Sequence, residues 1–142
     1  MTPTATMMRL GYLGLLPFYG LVAGAMIFTG TPAQRCAELF AVYSLAILSF
    51  LAGTLWGRAQ ISTHGGIRTL VVSNVLVVVA VLALIPDQLV AAILVLSLEF
   101  AWLLWFEWRG EELPAWYRRL RGQLTAAVLL AHGLMLWALL QA

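Results

Sequence analysis

The sequence has no lysine and few charged residues of any kind. Its eight basic residues are all arginine, six residues are acidic, and charged residues make up only 10% of the 142 positions, whereas hydrophobic residues make up 63%. Ordinary globular proteins contain about 25% charged and about 45–50% apolar residues. A water-soluble fold of this length could not bury so much apolar surface. The composition therefore excludes a soluble domain and predicts an integral membrane protein.

Cysteine and enzyme motifs are equally scarce. Cys36 is the single cysteine, so it cannot form an intrachain disulfide, and we expect a buried or interfacial thiol. Cys36, His64 and His132 fall outside, inside and in the middle of the predicted membrane, which excludes a shared metal ion. There is no glycine-rich phosphate loop, no Ser-His-Asp set and no CxxC pair. We therefore predict no metal, no cofactor and no enzymatic activity.

Long apolar runs are what the sequence has in abundance. Five of them can cross about 30 Å of hydrocarbon at about 1.5 Å per helical residue. The links between them are short, and the longest, EWRGEELPAWYRRLR, carries half of the charged residues. We predict an all-α polytopic membrane protein in which residues 1–142 form one five-helix transmembrane domain. The predicted helices are residues 10–28, 39–57, 67–85, 89–108 and 122–140, to within a few positions.

The arginines predict the orientation of these helices. Seven of them fall on one side of the predicted spans, and only Arg35 falls on the other. Because loops rich in arginine stay in the cytoplasm, we expect a cytoplasmic (or matrix-facing) N-terminus and a C-terminus outside. Arginines at helix ends explain the sequence pI of about 9.1, so nucleic acid is not an expected partner.

A few polar residues are predicted to lie deep in the membrane. Glu99, His132 and Ser49 share a depth near the middle of their helices, and Asn74 lies somewhat toward the inner side. Ionisable residues at this depth are rare and normally face the bundle interior. A Glu99–His132 pair could bind a polar ligand head, move a proton or fix the helix register. Alternatively, a protonated Glu99 bonds a backbone carbonyl or Ser49.

Aromatic residues follow Glu99 on the same helix face. Trp102 and Phe106 lie three and seven residues after it, a spacing that places all three side chains together. A carboxyl group beside aromatic rings predicts an amphipathic pocket for a flat or long-chain molecule. The alternative is that these rings belong to the aromatic belt at the membrane interface.

The segment LPAWYRRLRGQLT holds three of the eight arginines within four positions, directly after a proline, a tryptophan and a tyrosine. We expect its aromatic and arginine side chains to lie at headgroup level, where they set topology or bind anionic lipid headgroups or a partner protein. These anchor residues are Trp116, Tyr117, Arg118, Arg119 and Arg121.

Two glycine pairs predict close helix packing. Gly20 and Gly24 form one small-xxx-small pattern, and Gly53 and Gly57 form another. Such patterns let helix backbones approach closely. We expect packing within the chain, with a homodimer seam as the alternative.

The segments GYLGLLPFYG, SFLAGTLWG and LPAWYRRLRGQLT resemble, in this order, the small transmembrane-protein-69-like family, a domain of unknown function in bacteria and mitochondria. The resemblance implies a small multi-pass protein of the bacterial inner (cytoplasmic) membrane, or of the mitochondrial inner membrane in a eukaryote. It implies no activity. Members of that family often carry a histidine before the helix-two tryptophan, where this chain has Leu55 before Trp56, so a histidine-based role at that point is not expected.

A second comparison concerns architecture only. Five helices, this length and abundant tryptophan also describe the tryptophan-rich sensory/translocator proteins, which bind porphyrins and sterols. Their motifs do not occur here, so the comparison suggests a class of ligand and no more.

Three functions remain open from the sequence. The first is a non-catalytic membrane protein that binds an apolar or amphipathic partner: a lipid, a quinone- or porphyrin-like molecule, or another membrane subunit. The second is a proton-coupled carrier or proton relay that uses Glu99 and His132. The third is an assembly or stabilising subunit of an inner-membrane complex.

Overall fold

The computed structural model of the chain describes residues 2–61, 66–110 and 113–141. Within these ranges the secondary structure is entirely helical, and five spans are long and apolar enough to cross a membrane, with α1 and α2 together forming the first. The predicted all-α, polytopic, five-span architecture is confirmed. The helices are α1 Pro3–Leu13, α2 Leu16–Ile27, α3 Thr31–Ile61, α4 Gly66–Leu84, α5 Leu89–Gly110 and α6 Ala115–Gln141.

The first span is broken, whereas the sequence predicts one continuous helix over 10–28. Pro17 has no N–H for the carbonyl of Leu13, and its ring excludes a regular turn at that point. The helix is interrupted at Gly14 and Leu15, and the Gly14 carbonyl accepts a hydrogen bond from the Tyr43 hydroxyl at 3.0 Å. The Tyr19 hydroxyl donates to the Ala127 carbonyl of α6 at 2.9 Å. Two tyrosines thus tie the region around the break to α3 and α6.

Two other helices begin earlier than predicted. Gly30 adopts a positive φ of 63°, which reverses the chain and lets α3 start at Thr31 instead of near residue 39. The segment TPAQRCAE therefore forms helical turns. In α6, the Pro114 carbonyl accepts the Arg118 N–H at 3.0 Å, so the arginine-rich segment is helical from Ala115 onward. The anchor residues thus lie on the first turns of a helix.

The five spans form a closed ring in chain order. Each span packs against the next, α6 closes against α2, and α3 also contacts α5 across the middle. Large aromatic and aliphatic side chains fill the centre, including Phe18, Phe40 and Phe100. Many of the large side chains that stay exposed are apolar, which is the surface that a lipid bilayer requires.

Three of the four paired glycines do not pack helices of this chain together as predicted. A Cβ added at Gly20, Gly53 or Gly57 would meet nothing within 4 Å, so these positions face outward within the chain. Gly24 is the exception, since its added Cβ would lie 2.7 Å from the Cys36 sulphur of α3. Small residues on an outer face cannot bring two helices of the same chain together, which leaves the homodimer seam untested.

Candidate functional site

A buried ionic cluster joins the ends of three helices. The Glu107 carboxylate of α5 accepts Arg58 Nη2 of α3 at 2.7 Å through its Oε1. Its Oε2 accepts two bonds from Arg121 of α6, from Nε at 2.8 Å and from Nη2 at 2.6 Å. Glu107 is 1% exposed and Arg121 is 4% exposed. We name these three residues the ionic cluster.

The position of the cluster follows from where the helices end. Arg58 lies near the end of α3, Glu107 near the end of α5 and Arg121 in the second turn of α6. Because α6 is antiparallel to α3 and α5, the three residues come to one depth. A charge buried here is tolerated because it is paired and hydrogen-bonded. The cluster therefore fixes three helices relative to one another at the arginine-rich end of the bundle.

The ionic cluster shows that the predicted role of Arg121 was wrong and that Glu107 is a site residue the sequence analysis missed. Arg121 does not reach lipid headgroups, because its side chain points into the bundle and binds Glu107. Glu107 was not predicted as a site residue, since it lies among the aromatic residues of WFEW. The available signal was depth: an acid near the end of one span faces arginines at the same end of its two neighbours.

The remaining anchor residues lie at the arginine-rich end as expected. Trp116, Arg118 and Arg119 are exposed, and the Trp116 ring meets Tyr117 edge-on at 5.6 Å. The Arg118 guanidinium lies 5.6 Å from the centre of the Trp108 ring. Arg118 Nη2 also donates to the Trp108 carbonyl at 3.3 Å. Whether this surface binds headgroups stays a prediction.

His132 lies in the middle of the bundle inside an aromatic cage. Its ring is 4.8 Å from Phe40, 5.5 Å from Phe100 and 5.8 Å from Phe18, centre to centre. Its Nδ1 lies 2.9 Å from the Val128 carbonyl. Among the described residues its Nε2 has no hydrogen-bond partner. The imidazole is therefore packed as an aromatic ring in the core.

The expected hydrogen bond between Glu99 and His132 is not formed. Glu99 is buried, but its Oε2 has no partner within the described part of the chain, and neither does His132 Nε2. The reason is rotational, since successive helical residues point about 100° apart. Phe100, the residue after Glu99, occupies the face toward His132. Glu99 shares a face with Phe106, whose ring lies 5.4 Å from the Arg68 guanidinium of α4.

The other predicted candidates differ in burial. Phe106 is buried and stacks on Trp102 at 5.6 Å, while Trp102 is 42% exposed. Ser49 is half-buried. Asn74 faces outward and donates to the Leu70 carbonyl of its own helix at 2.8 Å, so it does not line the interior. The pocket predicted beside Glu99, Trp102 and Phe106 stays a prediction.

A cavity of about 460 Å³ lies elsewhere, between the first span, α3 and α6. Most of its wall is apolar. Four of its lining residues are polar or charged, and these are Thr54, Tyr117, Arg121 and Thr125. The apolar wall consists of Met7, Leu10, Gly11, Gly14, Leu15, Phe18, Ile47, Phe50, Leu51, Phe100, Leu120, Leu124 and Val128.

The cavity opens sideways between α1 and α3. Met7, Leu10 and Phe50 lie on its wall and are 57%, 62% and 70% exposed. Helix α1 has no buried residue, so it covers this side loosely. At its inner edge the cavity reaches Arg121 and thus touches the ionic cluster. The arrangement can hold a chain-like molecule that enters from the bilayer and presents a polar group to Arg121.

Comparison with known proteins places the chain in a family. The model of a family described as "Protein of unknown function (DUF3429)" matches residues 3–137. The chain belongs to the DUF3429 family. No curated protein and no solved structure matches it. The DUF3429 match includes every helix that builds the cavity and the ionic cluster, so both features lie within the family domain.

Proposed function

We propose that this DUF3429 protein is a non-catalytic membrane protein that binds an amphipathic molecule in the cavity between the first span, α3 and α6. The observation that carries the proposal is the cavity itself, about 460 Å³ in volume. Ligand sites typically measure about 300–1,000 Å³ and combine apolar walls with a few well-placed polar groups. The ligand class expected from the sequence is kept, and its site moves from the Glu99 face of α5 to the Arg121 face of α6.

The proposal includes a location. The family relationship is taken to be transmembrane-protein-69-like, with the protein in the bacterial inner membrane or the mitochondrial inner membrane. The arginine-rich end then faces the cytoplasm or matrix, and the cavity opens to the leaflet on that side. A phosphatase that is active only outside the cytoplasm, fused after Gln141, should be active; an inactive fusion would contradict this orientation.

The experiment that tests binding compares two variants of α6. Val128 is buried and lines the cavity, so Val128→Phe should fill part of it. Leu130 is 59% exposed on the outer face of the same helix, so Leu130→Phe is the matched control. Both proteins are purified in mild detergent, and the amphipathic molecules that remain bound are identified by mass spectrometry.

We expect wild type and Leu130→Phe to retain the same bound molecule and Val128→Phe to lose it. Thermal unfolding of both variants checks that Val128→Phe is folded, because overpacking can cost about 1–3 kcal/mol. Equal retention by a folded Val128→Phe would exclude the cavity as the binding site.

The role of an assembly or stabilising subunit remains a second candidate. An apolar groove on the outer face, lined by Gly20, Val42 and Ala46 among others, favours it because small residues let another helix approach. Recovery of a stoichiometric membrane protein with no bound amphiphile in the same purification would favour this candidate. The proton relay would use a contact between Glu99 and His132, but these side chains do not bond each other directly. No observation favours this function.

A further inference from the structure

The polar groups of the cavity are gathered on one face of α6. Tyr117, Arg121 and Thr125 follow one another at intervals of four residues, so their side chains lie in one row. All three line the cavity. Arg121 is 4% exposed and Thr125 is 2% exposed. The head of any bound amphiphile would therefore lie beside this row.

Arg121 has bonding capacity that the ionic cluster does not use. A guanidinium group has five N–H donors. Glu107 takes the donors of Nε and Nη2, which leaves Nη1 for another acceptor. The Glu107 carboxylate is also shared with Arg58, so these three groups together carry a net charge of +1. An anion beside Arg121 would therefore meet a guanidinium group whose carboxylate partner is shared with a second arginine.

Thr125 provides an independent sign of a ligand. Its Oγ1 is buried and has no hydrogen-bond partner among the described residues. Hydroxyl groups of other helices in this protein do bond their own backbone: Ser44 donates to Phe40 O at 2.8 Å and Ser97 to Ile93 O at 2.7 Å. A buried hydroxyl without a partner carries a free-energy cost, because it has given up its hydrogen bonds to water. An acceptor in the cavity would remove that cost.

The far end of the cavity suits a hydrocarbon chain. From Arg121 to Val128 the wall extends for roughly 10 Å along α6, and the lining residues at that depth include Phe18 and Phe100. The exposed rim at Met7 and Phe50 lets a longer chain continue into the bilayer.

We infer that the ligand of this cavity is a single-chain amphiphile with an anionic head, a carboxylate or a phosphate monoester, which is bound by Arg121 and Thr125. The inference rests on the proposed function and deepens it. Bonds between a guanidinium and an anion are shorter and stronger than neutral ones, and the low-dielectric surroundings increase their strength. The repulsion from Glu107 is offset because two guanidinium groups share that carboxylate.

The test uses three probes with one chain and different heads. Photoactivatable hexadecanoic acid, hexadecyl phosphate and hexadecanol are added to the protein in bilayers of zwitterionic phosphatidylcholine. The pH is alkaline, so that the acid is ionised. Covalent labelling is measured by intact-mass spectrometry as a function of probe concentration, for wild type, Val128→Phe, Arg121→Gln and Thr125→Val.

We expect an anionic probe to reach half-saturation at a concentration at least about tenfold lower than hexadecanol, because bonds to charged groups contribute about tenfold or more in affinity. The stronger of the two anionic probes identifies the head, and preference for either one supports the inference. Arg121→Gln should bring the ratio of the half-saturating concentrations of the anionic probe and hexadecanol close to one.

Thr125→Val guards against misfolding of the Arg121 variant, since it keeps the side-chain shape. It should weaken anionic labelling by roughly two- to tenfold. Arg119→Gln, on the exposed surface, should leave labelling by all three probes unchanged. Equal labelling by acid, phosphate and alcohol that Val128→Phe blocks would overturn this inference and leave the proposed function standing. If Val128→Phe does not reduce labelling, both this inference and the proposed function are wrong.

Discussion

The two buried acids of α5 lie eight residues apart and have opposite surroundings. Glu107 receives three hydrogen bonds from Arg58 and Arg121. Glu99 has an unpartnered Oε2, and the ion pairs found among the described residues do not include it. Sequence alone ranks Glu99 first, because it lies deeper in the apolar run. The difference shows that the depth of an acidic residue predicts the free-energy cost of burying it. Whether that residue has hydrogen-bond and ion-pair partners depends on the neighbouring helices.

The first and largest prediction compares the same substitution at both acids. Glu107→Gln should lower the free energy of unfolding by about 3–5 kcal/mol, because it leaves buried guanidinium groups without their anion. Glu99→Gln preserves shape and removes no ion pair, so it should cost less than about 1 kcal/mol. Unfolding by sodium dodecyl sulphate from mild detergent measures both. Equal losses at the two positions would contradict the contrast.

The second prediction concerns the geometry of the ionic cluster. Arg121→Lys keeps the charge but cannot donate from both Nε and Nη2 to one oxygen. We expect a loss of about 1.5–3 kcal/mol, the usual range for bonds to charged groups. Arg119→Lys on the exposed face should stay within about 0.5 kcal/mol of wild type. If both variants unfold at the same denaturant concentration, charge alone holds the cluster.

The third and smallest prediction tests the unpaired middle of the bundle. His132→Phe retains a ring inside the Phe18, Phe40 and Phe100 cage and removes the unpartnered Nε2. His132→Phe should change the free energy of unfolding by no more than about 1.5 kcal/mol, and the change can be stabilising. His132→Ala, which opens a cavity, should cost about 2–5 kcal/mol. A Phe variant as unstable as the Ala variant would show that the imidazole nitrogens are required.

Composition and the long apolar runs are enough to predict the fold class, the number of spans and the interior position of His132. They do not predict helix rotation. Whether Glu99 or Phe100 faces His132 depends on about 100° around α5, which is fixed by packing against three neighbouring helices. The same limit hid the pairing of Arg121, since a guanidinium at a helix start suits both a headgroup and a buried acid.

The break in the first span could not be predicted from the sequence either. The apolar run over 10–28 shows no polar interruption, and Pro17 can be accommodated at the start of a helix or in a break. At the break, the Gly14 carbonyl accepts a hydrogen bond from Tyr43 of another helix, a long-range contact. The cavity lies beside that break and beside the loosely packed helix α1. No local sequence pattern predicts such a cavity.

Mapping where an anionic chain lies in the wild-type protein tests the central claim most directly. Two photoactivatable hexadecanoic acids are used, one with the reactive group near the head and one with it near the chain end, and labelled residues are located by peptide sequencing. We predict head-proximal labelling around Tyr117 and Thr125 and chain-end labelling around Phe18 and Val128. Labelling confined to the outer face, at residues such as Val78 and Leu130, would contradict the account.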